Sequence, residues 1–479
     1  MSIISINLTD PSKISFYFPI LIILIILFII IKIIRNFQKE KDKEEESNTF
    51  ENELNNNELE YPFGLERNLD SLRNRYILYV FASCPLLTVF PYLYILFLTI
   101  HKFSREEIAI LYLVEILSQI FLSPIIIKLS DKYGRKRIVN LINFSIIINL
   151  FLRMKGSRLL IYLAQILSGL ASSSFFTICQ NWLNYEIHRI VGSHNKIGIR
   201  FRINIIKKSN LLNAIVSSII SIICAIFYSI FGINAPFWIN IILNLIGIFC
   251  IYLQWDENIA IPDDNEIENT FTKIKEYFIE LKKPNILLFS LIEGIIMTIF
   301  NIFLYGWTPI LKETISGYIN IGFIFILMDL TNSITFHFYE ILNIIFNFDN
   351  YISISVCLFI QGLVFYFIYF HNSFLWRTVY FCIIYGCIRL SLSLNSIIIS
   401  KIYDEKYKKF LINLFYIPFS FIFIAFIYIN TLSIANVAGS LTILSFILSI
   451  CLIAYTKSHK EEINDKDKNG YERILNENE

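Results

Sequence analysis

The sequence predicts an all-α integral membrane protein, two six-helix bundles plus one extra N-terminal transmembrane helix. Three observations carry the prediction: thirteen apolar stretches of bilayer length, a long polar segment dividing the last twelve six and six, and a one-sided excess of basic residues. A hydrocarbon layer of roughly 30 Å needs about 20 apolar residues as helix. Runs that meet this lie near 15–34, 77–100, 108–128, 138–155, 158–182, 209–231, 235–254, 285–309, 316–341, 351–370, 374–399, 411–430 and 433–456. Helix is the spanning form they can take, because lipid offers no partner to a free amide and barrel strands would be short and alternating. Hydrophobic residues make up 55% of the 479, and a formal charge of +2 gives no reason to expect a nucleic-acid partner.

Taken in order, the first span is read as a retained anchor: Lys32 and Arg35 follow it, the reverse of a secretory signal. It heads a segment 1–76 whose remainder is a polar cytoplasmic linker, too rich in Lys, Glu and Asn to fold alone. An N-terminal six-helix bundle follows at 77–255, a cytoplasmic connector at 256–284, a C-terminal six-helix bundle at 285–457 and a cytoplasmic tail at 458–479. With the loop after the first span inside and sides alternating, inner segments hold 32 Lys/Arg, outer ones 8, and Arg389 alone lies within a span. That bias puts the N-terminus outside and the C-terminus in the cytoplasm. The 340–350 loop, without Lys or Arg, gives no such signal. Six plus six around a cytoplasmic connector suits a solute carrier with a midplane site. The eight cysteines lie in or beside apolar spans without metal-ligand spacing and read as buried thiols.

Between the second and third core spans stands Leu129-Ser130-Asp131-Lys132-Tyr133-Gly134-Arg135-Lys136-Arg137. Gly134 suits a tight turn, Asp131 can accept from an arginine, and Lys132, Arg135 and Lys136 hold the loop at an anionic leaflet. The string resembles the signature loop of the major facilitator superfamily, which implies that fold and a gating role for these residues. A closer resemblance rests on Pro91-Tyr92-Leu93-Tyr94, Ser104-Arg105-Glu106-Glu107, Leu167-Ser168-Gly169-Leu170, Trp182 and Trp307-Thr308-Pro309. These are similar to the molybdate-anion transporter family and imply alternating-access uptake of molybdate or a related oxyanion. The chain departs from that family at Leu86 and Leu87, at Gln165 and Tyr416, where the family carries Arg, and at Gln180.

Charges inside a bilayer are costly and normally face a bundle interior or wet cavity. Substrate-path candidates are therefore Glu115, Glu293, Asp329 and Arg389, with Gln165. Ser393, Ser396 and Ser400 extend a polar stripe from Arg389, read as the one basic residue deep in the membrane, and Glu293 matches its depth well enough to pair with it. Further stripes run through Asn210, Asn213, Ser217 and Ser221 in span five and Asp329, Asn332, Ser333, His337 and Glu340 in span eight. Such residues serve helix packing or line a cavity. Amides and hydroxyls also suit a sugar or other neutral polar metabolite, the alternative to an oxyanion; a non-transporting receptor or scaffold is the remote one. No enzyme, cofactor or metal is expected. The expected partners are the small-molecule or oxyanion substrate, the lipid bilayer and, where transport is driven, a coupling ion, acting on a monomer in the plasma membrane or an endomembrane.

Overall fold

A computed structural model describes residues 65–191, 195–259, 284–312, 321–346, 350–371, 373–402, 442–444 and 446–454. The spans expected at 15–34 and 411–430 lie outside these residues. Helix α1 (Leu65–Ile77) closes the segment read as an unfolded linker. It folds because Leu69, Leu72 and Tyr76, three and four residues apart, are buried against the first bundle. The first core span is interrupted, as α2 (Tyr79–Thr88), α3 (Phe90–Ile95) and a π-helical turn, Leu96–Ile100. Pro91, which has no amide to give, sits in the first turn of α3, where none is needed.

Helix α4 (Arg105–Tyr133) opens on a capping box: the Ser104 amide donates to Glu107 Oε2 at 2.8 Å and the Ser104 hydroxyl accepts from the Glu107 amide at 3.2 Å. It bends by 41° between Arg105–Ser123 and Ile125–Tyr133, with Pro124 at the break. Helices α5 (Arg135–Lys155), α6 (Arg158–Val191), α7 (Asn195–Phe231) and α8 (Ala235–Gln254) complete the first bundle. With 34 and 37 residues, α6 and α7 are more than about 50 Å long at 1.5 Å per residue, so they project past the bilayer where the predicted spans 158–182 and 209–231 stop. The second bundle comprises α9 (Pro284–Lys312), α10 (Ile321–Phe346), α11 (Asn350–Phe370), α12 (Phe374–Ile402) and α13 (Thr442–Ala454).

Among the described residues seven helices are long and apolar enough to cross a membrane, eight with the bent α4. Shorter apolar helices at Phe90–Ile100, Ile215–Phe231 and Thr442–Ala454 coincide with three further predicted spans. Helix α8 shows the membrane pattern plainly: Trp238, Ile242, Leu245 and Phe249 point outward while Asn240 and Asn244 are buried. Lipid solvates the apolar face, and both amides turn inward, where the Thr88 hydroxyl donates to Asn240 Oδ1 at 2.6 Å.

One large apolar core fills the first bundle from Leu69 to Trp255; two others fill the second. The bundles also touch each other. Ile95 of α3 belongs to a core of the second bundle with Phe303 and Trp307 of α9. Tyr305 of α9 donates to the Arg105 carbonyl at 3.3 Å and packs edge-on against Tyr94 and Tyr112, with ring centroids 6.5 and 5.7 Å away. A side chain on Gly322 of α10 would fall against the Tyr92 hydroxyl and Ala225 of α7.

Candidate functional site

Three polar centres emerge from this packing. The first lies inside the N-terminal bundle, where Arg153 of α5 donates from one Nη to Gln165 Oε1 on α6 at 2.7 Å and stands 3.5 Å from Glu115 Oε2 on α4. The Ser168 hydroxyl donates to the other oxygen of Glu115 at 2.6 Å. Arg153 is 4% exposed and Glu115 7%, so this is a buried ion pair with its lone pairs largely satisfied. Arg153, counted with the outer loop because Lys155 and Gly156 follow it, is buried in the bundle although it stands two residues from the end of α5. Its signal is periodicity, since Val139, Ile142, Ile146 and Leu150 share the buried face of α5 with it. Gln165, which replaces an arginine of the resembled family, receives a guanidinium from the neighbouring helix instead.

The second centre is a seam between the bundles. Asp329 on α10 is 1% exposed and accepts from the Ser221 hydroxyl of α7 at 3.1 Å and the Tyr385 hydroxyl of α12 at 3.4 Å. Ser217, one turn along α7, hydrogen-bonds the same carboxylate, and the Arg389 guanidinium, one turn beyond Tyr385, acts on it electrostatically. The serine stripe of span five and the Asp329 stripe of span eight therefore meet each other. Tyr385, not singled out within the span 374–399, gains its role from that meeting. Arg389 and Ser393 are half-buried. The side chains of Glu293 and Ser396 lie outside the described residues, and with them the expected Glu293–Arg389 pair; the described acid facing Arg389 is Asp329.

The third centre lies where α4 passes into α5, at the Gly134 loop. Arg135 donates to Asp131 Oδ1 through Nε at 3.1 Å and Nη2 at 2.9 Å, reaches the Asn181 carbonyl at 3.2 Å, and lies over the Tyr185 ring at 5.5 Å. Lys132 lies over Tyr133 and Lys136 over Tyr252. The residues after α8, read as the start of a free connector, fold back as a clasp. Trp255 stacks on Trp182 at 4.0 Å and on Tyr76 of α1 at 6.3 Å. Asp256 pairs with Arg75 at 2.6 Å, and Glu257 accepts from the Lys136 amide at 3.0 Å. Asn258 donates to the Trp182 carbonyl at 3.3 Å and to Glu186 at 3.2 Å. The projecting end of α6 supplies Trp182 and Glu186, which explains its length.

Gly134 turns the chain between α4 and α5 at φ 104°, a conformation that L side chains avoid, and the Glu257 carboxylate occupies the place of a Cβ. Gly134→Ala is expected to destabilise the purified protein by about 1–3 kcal/mol in thermal unfolding. A variant as stable as the parent would show that the clasp does not hold this backbone.

The superposed solved structures are transporters. The human organic anion transporter MFSD10 (TETRAN) is 11% identical with a TM-score of 0.56, covering 82% of this chain and 100% of that one. An auto-inhibited POT family peptide transporter gives 10% identity, a TM-score of 0.58 and coverages of 82% and 97%. A point mutant of the nucleoside transporter NupG gives 15% identity, a TM-score of 0.55 and coverages of 81% and 99%. At these identities the likeness is one of fold. No curated protein sequence matches the chain. The family model described as "Sugar-transporters, 12 TM" matches residues 64–375, more than half the chain. With both bundles represented in that match and the fold shared with carriers, the chain belongs to this twelve-span family of the major facilitator superfamily, a group of multi-pass membrane transporters.

Proposed function

We propose that this transporter carries a small neutral polar solute, a sugar or polyol, by rocking its two bundles about the Asp329 seam. The reading rests on charge compensation. Arg153 faces Glu115, and Arg389 faces Asp329, so each of these two arginines has a carboxylate beside it. An oxyanion asks for a cation whose charge is not already answered. A sugar asks for hydroxyl, amide and carboxylate partners, of which Ser217, Ser221, Tyr385, Ser393 and Asp329 are candidates. The family description points the same way.

Molybdate or a related oxyanion is the second reading, favoured by half-buried Arg389, whose planar fork is suited to such a ligand. Uptake of radiolabelled hexoses, polyols, molybdate and sulfate into proteoliposomes separates the two. Saturable hexose or polyol uptake, not inhibited by excess molybdate, is the expected result. Saturable molybdate uptake that Arg389→Ala abolishes and Arg389→Lys restores in part would overturn it.

A further inference from the structure

We propose that Asn332 is a specificity-determining residue of the solute path, its carboxamide reading adjacent hydroxyl groups on the solute. The proposal rests on the neutral-solute reading and adds which groups of the solute are recognised. Asn332 is 2% exposed, and its Oδ1 has no hydrogen-bond partner among the described residues. A buried acceptor without a donor is costly in a dry site, and a ligand that supplies the donor accounts for its presence.

Position separates Asn332 from other amides in the same state. The carboxamides of Asn143 on α5 and Asn244 on α8 also lack partners, both at 0% exposure. Helix α5 packs chiefly on α4, α6 and α8, and α8 on α2, α5 and α7, so both amides belong to the interior of one bundle. Helix α10 instead packs on α12 of its own bundle and on α7 and α3 of the other. Along that crossing Gly322 meets Ala225 and Asp329 meets Ser221, an antiparallel run that brings Asn332 level with Ser217 and Ser218. Arg389, one turn beyond Tyr385 on α12, comes to the same level. Asn332 lies eleven residues from Ile321, about 17 Å at 1.5 Å per residue, near the middle of a hydrocarbon layer of roughly 30 Å.

Helical period sets its direction. Phe325, Asp329 and Asn332 stand at i, i+4 and i+7 and share one stripe of α10. The Phe325 ring is 6.5 Å from Trp307 on α9 and 5.8 Å from Tyr385 on α12, so the stripe looks toward both of those helices. An aromatic wall therefore begins one turn outward of Asp329. A hexose has apolar C–H faces and a hydroxyl rim, which suits such a wall beside a few polar groups. A carboxamide carries an acceptor and a donor side by side: one hydroxyl of an adjacent pair donates to Oδ1 while the next accepts from Nδ2. Asp329, one turn away, offers an acceptor to a further hydroxyl. An oxyanion presents acceptors alone, which the Asn332 carbonyl oxygen repels. The class selected is a sugar or polyol with adjacent free hydroxyls.

The test uses the full-length chain in proteoliposomes, with D-glucose, D-sorbitol and the singly deoxygenated analogues of D-glucose as probes. Asn332→Leu, similar in volume but unable to hydrogen-bond, should raise KM roughly tenfold while the maximal rate stays within about twofold. One deoxy analogue should be a poor substrate for the unmodified protein yet lose nothing further in Asn332→Leu, because the hydroxyl it lacks is the one the amide reads. Asn332→Gln keeps the carboxamide on a longer arm, and its KM should fall between the two. Asn143→Leu, which removes a buried amide away from the seam, should transport like the parent. Unchanged KM in Asn332→Leu overturns the assignment and leaves the neutral-solute reading standing. If the leucine variant does not fold, parental KM and analogue preference in Asn332→Gln overturn it in the same way. An equal rise in Asn143→Leu also overturns it, since any buried amide would then do. Absence of D-glucose and D-sorbitol uptake by the unmodified protein overturns the reading and the assignment together.

Discussion

Replacing Arg153 by Ala is expected to cost about 3–5 kcal/mol and to lower the yield of monodisperse protein sharply, because it strands the Glu115 carboxylate in a site without water. Paired replacement, Arg153→Gln with Glu115→Gln, should recover most of the loss. Two amides of similar reach can still meet Gln165 and Ser168, and no charge remains to be compensated. Thermal unfolding in one detergent across the single and double variants makes the comparison. Equal damage in all of them would mean that side-chain shape, rather than the ion pair, holds α4, α5 and α6 together.

The spans were legible because bilayer thickness sets their length and composition whatever the helices pack against. Helix α8 could be placed from its sequence alone, and the structure keeps the predicted 235–254. What the sequence withheld depended on neighbours. Arg153 stands beside Lys155 near a helix end and resembles any loop cation until Glu115 is brought to face it. Trp255 to Asn258 read as the first residues of a polar connector, and their fixed position comes from Trp182, Glu186 and Arg75, dozens of residues away. The seam was half legible: the serine stripe and the Asp329 stripe were each visible by helical period, but that they face each other is a fact of tertiary packing.

A bulky residue at position 169 is expected to prevent folding altogether. Gly169 of α6 lies where a Cβ would collide with the Glu115 carbonyl and stand 2.8 Å from Ser118 Cβ and 2.9 Å from the Gln119 amide nitrogen, all on α4. Backbone cannot yield as a flexible side chain does, so the two helices would have to move apart. Gly306 of α9 is the control: a Cβ there meets a single neighbour, Ile310 Cδ1, at 3.7 Å. Gly169→Leu should leave no folded protein on size exclusion, whereas Gly306→Ala should run like the parent. Normal recovery of Gly169→Leu would show that α4 and α6 are not packed this closely in the membrane.

The contacts that bind the bundles through Ile95, Tyr305 and Gly322 lie toward the outer side of Asp329, on the side assigned by the distribution of basic residues. Given that orientation, the contacts would hold the outer mouth of this conformer shut. In kinetic terms, a population held in this state takes up external solute after the empty carrier has turned around, so net entry into solute-free vesicles waits on that return. Preloading the inside lets the carrier return loaded instead, and makes one-for-one exchange faster than net entry.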